Sequence, residues 1–227
     1  MRVTTLIIVF CLVAVSASAA PLTDYRLGKA AVDLYLTVPC IQATNASGTI
    51  VPSSAYGMNW GGSLEATVGL GYHIAARIGT DNSFLPFDGR SIAGNYSFSK
   101  QNYDLLIGLQ SDVWPVFVAM YFGVVDYKIS INNSTMPNSF SESGYHFGLQ
   151  GNYRPTDDVT TYLELAWGTL DTEALIGGAY AFSQNLELNL EVEYNALHGN
   201  DAFVMKYNED IFKIRSYIPK IGITYKF

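Results

Sequence analysis

Charge is scarce in this chain. Asp, Glu, Lys and Arg make up 15% of its 227 residues, too few to coat a soluble β-domain of this size. Cysteine is scarcer still. There are 2, Cys11 and Cys40, and Cys11 lies in an apolar N-terminal run without the small-residue context of a lipid anchor. One remaining thiol makes no internal disulfide, which excludes a cysteine-stapled secreted domain. The 3 histidines, His73, His146 and His198, are far apart, and no Cys/His group has zinc spacing. No carboxylate run has calcium-loop spacing, so neither metal nor cofactor is expected. There is no Lys/Arg block, and the formal charge is −7, so nucleic acid is not an expected partner. Beyond the N-terminus no stretch of about twenty apolar residues occurs, which excludes a bundle of membrane-spanning helices.

What is present begins with "MRVTTLIIVFCLVAVSASAAPL". Arg2 supplies a short positive region, Leu6 to Val15 a continuous apolar run too short to span a bilayer, and Ala17-Ser18-Ala19 a small-residue cleavage site. The reading is a signal peptide over 1–19, cut after Ala19, and a single domain over 20–227. No linker or internal repeat interrupts it.

The rest of the chain alternates with period two, the signature of strands with unlike faces. "LELNLEVEYN" sets Leu186, Leu188, Leu190, Val192 and Tyr194 against Glu187, Asn189, Glu191, Glu193 and Asn195. "AAVDLYLTV", "SLEATVGL", "NYDLLIGLQ", "GYHFGLQGNYR" and "TYLELAWG" repeat the design. Val116–Ile131 is apolar on both faces, and Ala174–Phe182 is rich in glycine, so the register is open there, as is the choice between eight strands and ten. Short turns fall at Gly71-Tyr72-His73, "SDVWP", "RPTDD" and "SQN". Longer polar segments fall at about 39–57, 80–96, 130–143 and 196–210. The connection at Gly168–Thr172 is short against that trend.

Alternation does not say which face points inward. A lipocalin-like soluble barrel would bury Leu188, Leu190 and Val192 and expose the glutamates. Three features point the other way. Aromatics gather at strand ends on the apolar face (Tyr103, Tyr145, Tyr153, Trp167, Tyr194, Tyr217, Tyr225, Phe227). The polar face carries small and uncharged residues, and total charge is low. An open sheet edge in hydrocarbon would leave backbone groups unpaired, so such a sheet must close. The expected fold is all-β: a transmembrane antiparallel up-and-down barrel of about ten strands.

The chain ends "KIGITYKF". Lys220, Gly222, Tyr225 and the terminal Phe227 resemble the C-terminal assembly signal of Gram-negative outer-membrane β-barrels, and the whole mature chain resembles small porin-like members of that class. The resemblance implies an integral place in the cell outer membrane, contact with its lipid, and recognition by the barrel-assembly machinery during insertion. It leaves oligomeric state open.

On this register Asp33, Glu65, Asp104, Glu164, Glu187, Glu191 and Glu193 face the lumen, with Arg77, Arg154, Lys220 and Lys226. Lys220 is placed to meet Glu191 or Asp33. Two readings follow: a salt-bridged plug, or a narrow acidic pore for cations or small polar solutes. A third places function in the polar loops, as in an adhesin or receptor. A fourth, an outer-membrane hydrolase, rests on His146 with Asp104 and the neighbouring Ser141 and Ser143. No catalytic residue is assigned, and the chain is read as not an enzyme.

Overall fold

The computed structural model describes residues 21–44, 60–88, 93–110, 116–132, 137–198 and 213–227. The expected signal peptide and "SDVWP" lie outside the described residues, as do 45–59 and 199–212. Eleven strand segments run β1 (Ala30–Thr37), β2 (Cys40–Thr44), β3 (Trp60–Gly71), β4 (Ile74–Asp88), β5 (Ala93–Gln110), β6 (Val116–Asn132), β7 (Pro137–Tyr153), β8 (Val159–Gly168), β9 (Asp171–Ala181), β10 (Leu186–His198) and β11 (Lys213–Lys226). β1 and β2 are one stave, because both pair with β11 in a single register, Thr37 opposite Lys220 and Cys40 opposite Tyr217. The ladder lapses between them where Pro39 and Pro219, neither with an N–H to give, occupy the seam; Val38 N still donates to Pro219 O at 3.0 Å.

The result is a closed antiparallel barrel of ten staves, each paired with its sequence neighbours, with β1 returning to β11. Phe227 N donates to Ala30 O at 2.8 Å, tying the last residue to the first stave. Closure removes every sheet edge, as lipid requires.

The barrel is inside out relative to a soluble one. Leu190 is 43% exposed while its neighbour Asn189 is 1% exposed. Leu34, Leu64, Ile78, Phe122, Phe147, Leu163 and Ile223 stand on the outside, and Asp33, Arg77, Asp104, Gln150, Glu191 and Thr224 are buried within. The apolar belt has a continuous upper limit over four neighbouring staves. Ile78, Tyr103, Val124 and Tyr145 are direct cross-strand partners, and above them the outward positions turn polar at Gln101, Lys128, Ser141 and Ser143. Trp60, Tyr103, Tyr145, Trp167 and the Tyr194–Tyr217 pair form one aromatic girdle, and Tyr72, Tyr153, Phe182, Tyr225 and Phe227 the other.

Polarity alone suggests loops at 80–96 and 130–143, but the structure continues them as strand to Asp88, from Ala93, to Asn132 and from Pro137. Where side chains are described, at 80–83, 97–101 and 141–143, polar residues stand on both faces, and that change of composition is what reads as loop. β5 holds 18 residues and β6 and β7 17 each, against 10 for β8 and 11 for β9. About 9–11 residues suffice to cross the hydrocarbon. The rim opposite the termini is therefore tall at β4–β7 and low at β8–β9. At the other rim, β3 and β4 meet through Tyr72 and His73, held at φ 53° and 65°, the left-handed pair of a tight hairpin turn.

Val116–Ile131 takes the register that puts Phe117, Ala119, Tyr121, Val125 and Tyr127 inward and Val118, Met120 and Phe122 outward. Both faces are apolar because the lumen is itself apolar at the two levels this strand crosses.

Candidate functional site: the enclosed lumen

The inner end, next to the termini, is filled by the segment before β1. Leu22 and Tyr25 are buried there with Leu106, Phe117, Ala119 and Tyr121, and the Tyr25 and Phe117 rings meet edge to face at 5.2 Å. Gly71 N donates to Tyr25 O at 3.0 Å and Gly69 N to Lys29 O at 2.8 Å, so the segment is hydrogen-bonded to the wall. At its exposed margin Arg26 Nη2 meets Asp24 Oδ2 at 2.6 Å, which holds the Asp24 carboxyl below the usual carboxylate range.

The outer end is filled by the wall. The short β8–β9 turn carries Leu170 against Val125 and Tyr127, with Phe98 and Leu197 packed on them. Tyr127 OH donates to Asp171, and Asn195 Nδ2 reaches both Tyr127 OH and Glu173 Oε1 at 3.0 Å.

Between the two lies a polar chamber of about 90 Å³, large enough to hold water. Its first node is Arg77. Nε donates to Asp104 Oδ2 at 2.8 Å, Nη1 and Nη2 grip Glu164 at 3.0 and 2.8 Å, and the guanidinium lies 4.5 Å from the centre of the Tyr121 ring. This two-pronged fit to a carboxylate is particular to arginine. Glu65 stands farther off, 3.9 Å from Arg77 Nε. The second node is Lys220, 2.6 Å from Glu193 and 3.3 Å from Asp81. Glu191, directly opposite Lys220 in the ladder, instead accepts Tyr35 OH at 2.6 Å and Tyr162 OH at 2.7 Å on one oxygen. Lys100 pairs with Glu173, and Lys226 with Glu187 at 2.6 Å. Asp33 accepts the Thr224 hydroxyl.

Glycine makes the tyrosine contacts possible. A Cβ on Gly222, Gly177 or Gly148 would strike the ring of Tyr35, Tyr162 or Tyr121 on the adjacent stave. Each ring lies flat across the neighbouring glycine instead of standing up into the lumen. Gly222 of the terminal "KIGITYKF" is thus also the socket for Tyr35 at the closing seam, while Tyr225 and Phe227 stand on the outside, ring centroids 4.7 Å apart.

Of the residues expected in the lumen, Asp33, Glu65, Arg77, Asp104, Glu164, Glu187, Glu191, Glu193 and Lys220 take part in this network. Arg154 does not. It lies one residue past the end of β7, exposed in the turn, with its guanidinium on Asp157 O. Lys220 chooses the diagonal Glu193, not Glu191 or Asp33, because Tyr35 and Tyr162 already occupy the nearer carboxylate. Sequence reading overlooks Asp81 and Lys100, which keep phase with Arg77 and Asp104 once β4 and β5 are extended, Glu173 near the start of β9, and the three tyrosines.

His146 Nε2 lies 2.5 Å from Asp104 Oδ1, with side chains 2% and 0% exposed. Asn102 Nδ2 and Arg77 Nε occupy the other Asp104 oxygen. Ser141 and Ser143 are on the outer face of β7, not beside His146: they sit at odd positions of a strand whose even positions face inward. Among the described residues no group of His, Cys, Asp and Glu is arranged to hold a metal ion.

The closed wall, the lipid-facing belt and the buried charges decide the architecture. The fold is that of a small outer-membrane β-barrel. Among similar solved structures is Neisserial surface protein A, with 11% identity and a TM-score of 0.50, covering 88% of this chain and 99% of that one. The outer membrane protease OmpT from Escherichia coli is similar at 10% identity and a TM-score of 0.51, covering 88% of this chain and 97% of that one. No protein-family model and no curated protein sequence matches the chain.

Proposed function

We propose that this chain is an exported, integral protein of the Gram-negative outer membrane whose lumen is a sealed structural core, and which acts through its raised outer rim by surface contact. The observation that carries the reading is the double seal, Leu22 and Tyr25 at one end and Leu170 with Tyr127 at the other, with ion pairs between. A partner-facing rim accords with β5–β7, which run several residues beyond the lipid belt and show polar residues outward. Targeting fits the signal peptide expected over 1–19, and insertion by the assembly machinery fits Lys220, Gly222, Tyr225 and Phe227. Hydrolysis finds no support at His146, which is buried and locked onto Asp104 by a carboxylate already held by Arg77.

One observation favours a second reading, a narrow cation channel: seven carboxylates line the chamber against Arg77, Lys100 and Lys220. Single-channel recording on refolded protein in planar bilayers separates the two. The structural reading expects no resolvable steps between −150 and +150 mV (an order-of-magnitude range of membrane driving force). Cation-selective steps that vanish in Glu191→Gln would establish the channel instead.

A further inference from the structure

The lipid-facing belt is not smooth. Across β3 to β7 its surface sinks into an open groove of about 630 Å³, lined almost wholly by apolar atoms. That size lies within the roughly 300–1,000 Å³ span of small-molecule sites. Two outward rows of the ladder form the groove: Ile78, Tyr103, Val124 and Tyr145 at the belt's upper limit, and Ala76, Leu105 and Phe122 below them. Large and small side chains alternate along both rows. Val124 is half-buried between the exposed rings of Tyr103 and Tyr145, and Ala76 is short and Leu105 half-buried beside the exposed Phe122. Between the rows run Arg77, Asp104 and Gly123. Arg77 and Asp104 turn their side chains to the lumen and Gly123 has none, so the floor there is bare main chain.

An apolar groove in hydrocarbon does not fill with water, and left empty it would forfeit the dispersion contacts of its lining. What the surroundings offer to fill it is a lipid chain. The upper mouth, between the Tyr103 and Tyr145 rings, leads out along β6, where Asp126 and Lys128 follow Val124 on the same outward face. Gln101 and Ser143 flank Asp126 in the ladder. Neither Asp126 nor Lys128 has an ion pair among the described residues. Such a set suits a headgroup with both phosphate and sugar: Lys128 for the phosphate, and Asp126, Gln101 and Ser143 for hydroxyls. We infer that the groove seats one acyl chain of a phosphorylated glycolipid of the outer leaflet. The chain passes between Tyr103 and Tyr145 over Val124, and the headgroup rests on Lys128 and Asp126. The inference rests on the outer-membrane reading above, and not on the sealed lumen or on the rim's partner.

The test uses protein extracted from the outer membrane in mild detergent and stripped of lipid. Diphosphorylated lipid A or phosphatidylethanolamine is titrated in, and native mass spectrometry counts the lipid retained. Wild type should hold a single lipid A, with an affinity on the order of ten-fold above that for phosphatidylethanolamine. Ala76→Phe fills the groove and adds apolar surface only on the lipid side, so it should fold and should weaken lipid A retention by on the order of ten-fold. If it fails to fold, Ala66→Leu fills the same groove from β3. Leu190→Phe, outward on β10 and outside the groove, should change nothing. Lys128→Gln should erase the preference between the two lipids while a chain still binds. Equal retention by wild type and the groove-filled variant overturns the inference, as does a wild type that prefers phosphatidylethanolamine or keeps neither lipid. Absence of the protein from the outer membrane defeats the outer-membrane reading and this inference with it, and is seen before any lipid is added.

Discussion

At its inner end the lumen is packed by a tail, at its outer end by the wall. Leu22 and Tyr25 belong to a segment that contributes no strand and holds on through two backbone hydrogen bonds from Gly69 and Gly71. Leu170 belongs to the β8–β9 turn, flanked on both sides by staves of the barrel. The tail is separable from the ladder, whereas the outer seal moves only if the barrel moves. Apolar packing lines both ends, and the ion pairs of Arg77 and Lys220 lie in the chamber between, where the protein shields them from lipid. A lumen arranged this way is filled in layers, apolar, charged, apolar.

Removing the charge that the two seals protect should have the largest effect. Arg77→Ala strips the partner from Asp104 and Glu164 and should cost about 3–5 kcal/mol, the usual loss when a buried ion pair is broken on one side. Urea unfolding in detergent micelles or lipid vesicles measures it, and a loss below about 1 kcal/mol would mean the chamber is far wetter than its geometry implies. Next come the seals. Leu22→Ala and Leu170→Ala should each cost about 2–4 kcal/mol. Because the seals act in series, neither alone should conduct in planar bilayers, while the double variant should. Conductance from Leu22→Ala alone would show that the outer seal is not one. Gly148→Ala pushes the Tyr121 ring off the wall and should cost about 1–3 kcal/mol by overpacking, with Gly151 on the same strand, beside which a Cβ meets nothing within 4 Å, as the neutral control in the same unfolding assay. The smallest effect is a gain. His73→Gly relieves a left-handed residue and should stabilise by about 1 kcal/mol, visible as a later urea midpoint.

How much of this was legible before any coordinates follows from the same layering. In β10, Leu188 and Leu190 alternate with Asn189 and Glu191, so period two reveals face and register at once. In β6 it cannot. Phe117, Tyr121 and Tyr127 point inward at the level of the seals, and an inward apolar residue looks like an outward one in sequence. Arg154 shows a second limit: alternation does not mark where a strand stops, and one residue past Tyr153 the inward phase has lost its meaning. Asp81 and Lys100 were hidden by the opposite error, since polar composition above the lipid belt masks strand as loop. The partner of Lys220 depends on which carboxylate the tyrosines have already taken, a three-dimensional competition with no trace in spacing.

The account stands on outward positions meeting lipid and inward positions meeting a closed interior. Nitroxide labels placed singly along β10 at residues 188 to 193, in a Cys40→Ser background and in liposomes, test this directly. Even positions should be accessible to oxygen dissolved in the bilayer, and odd positions should be shielded both from oxygen and from a water-soluble nickel chelate. Odd positions open to the chelate would contradict the sealed lumen, and odd positions open to oxygen would contradict the barrel's inside-out design.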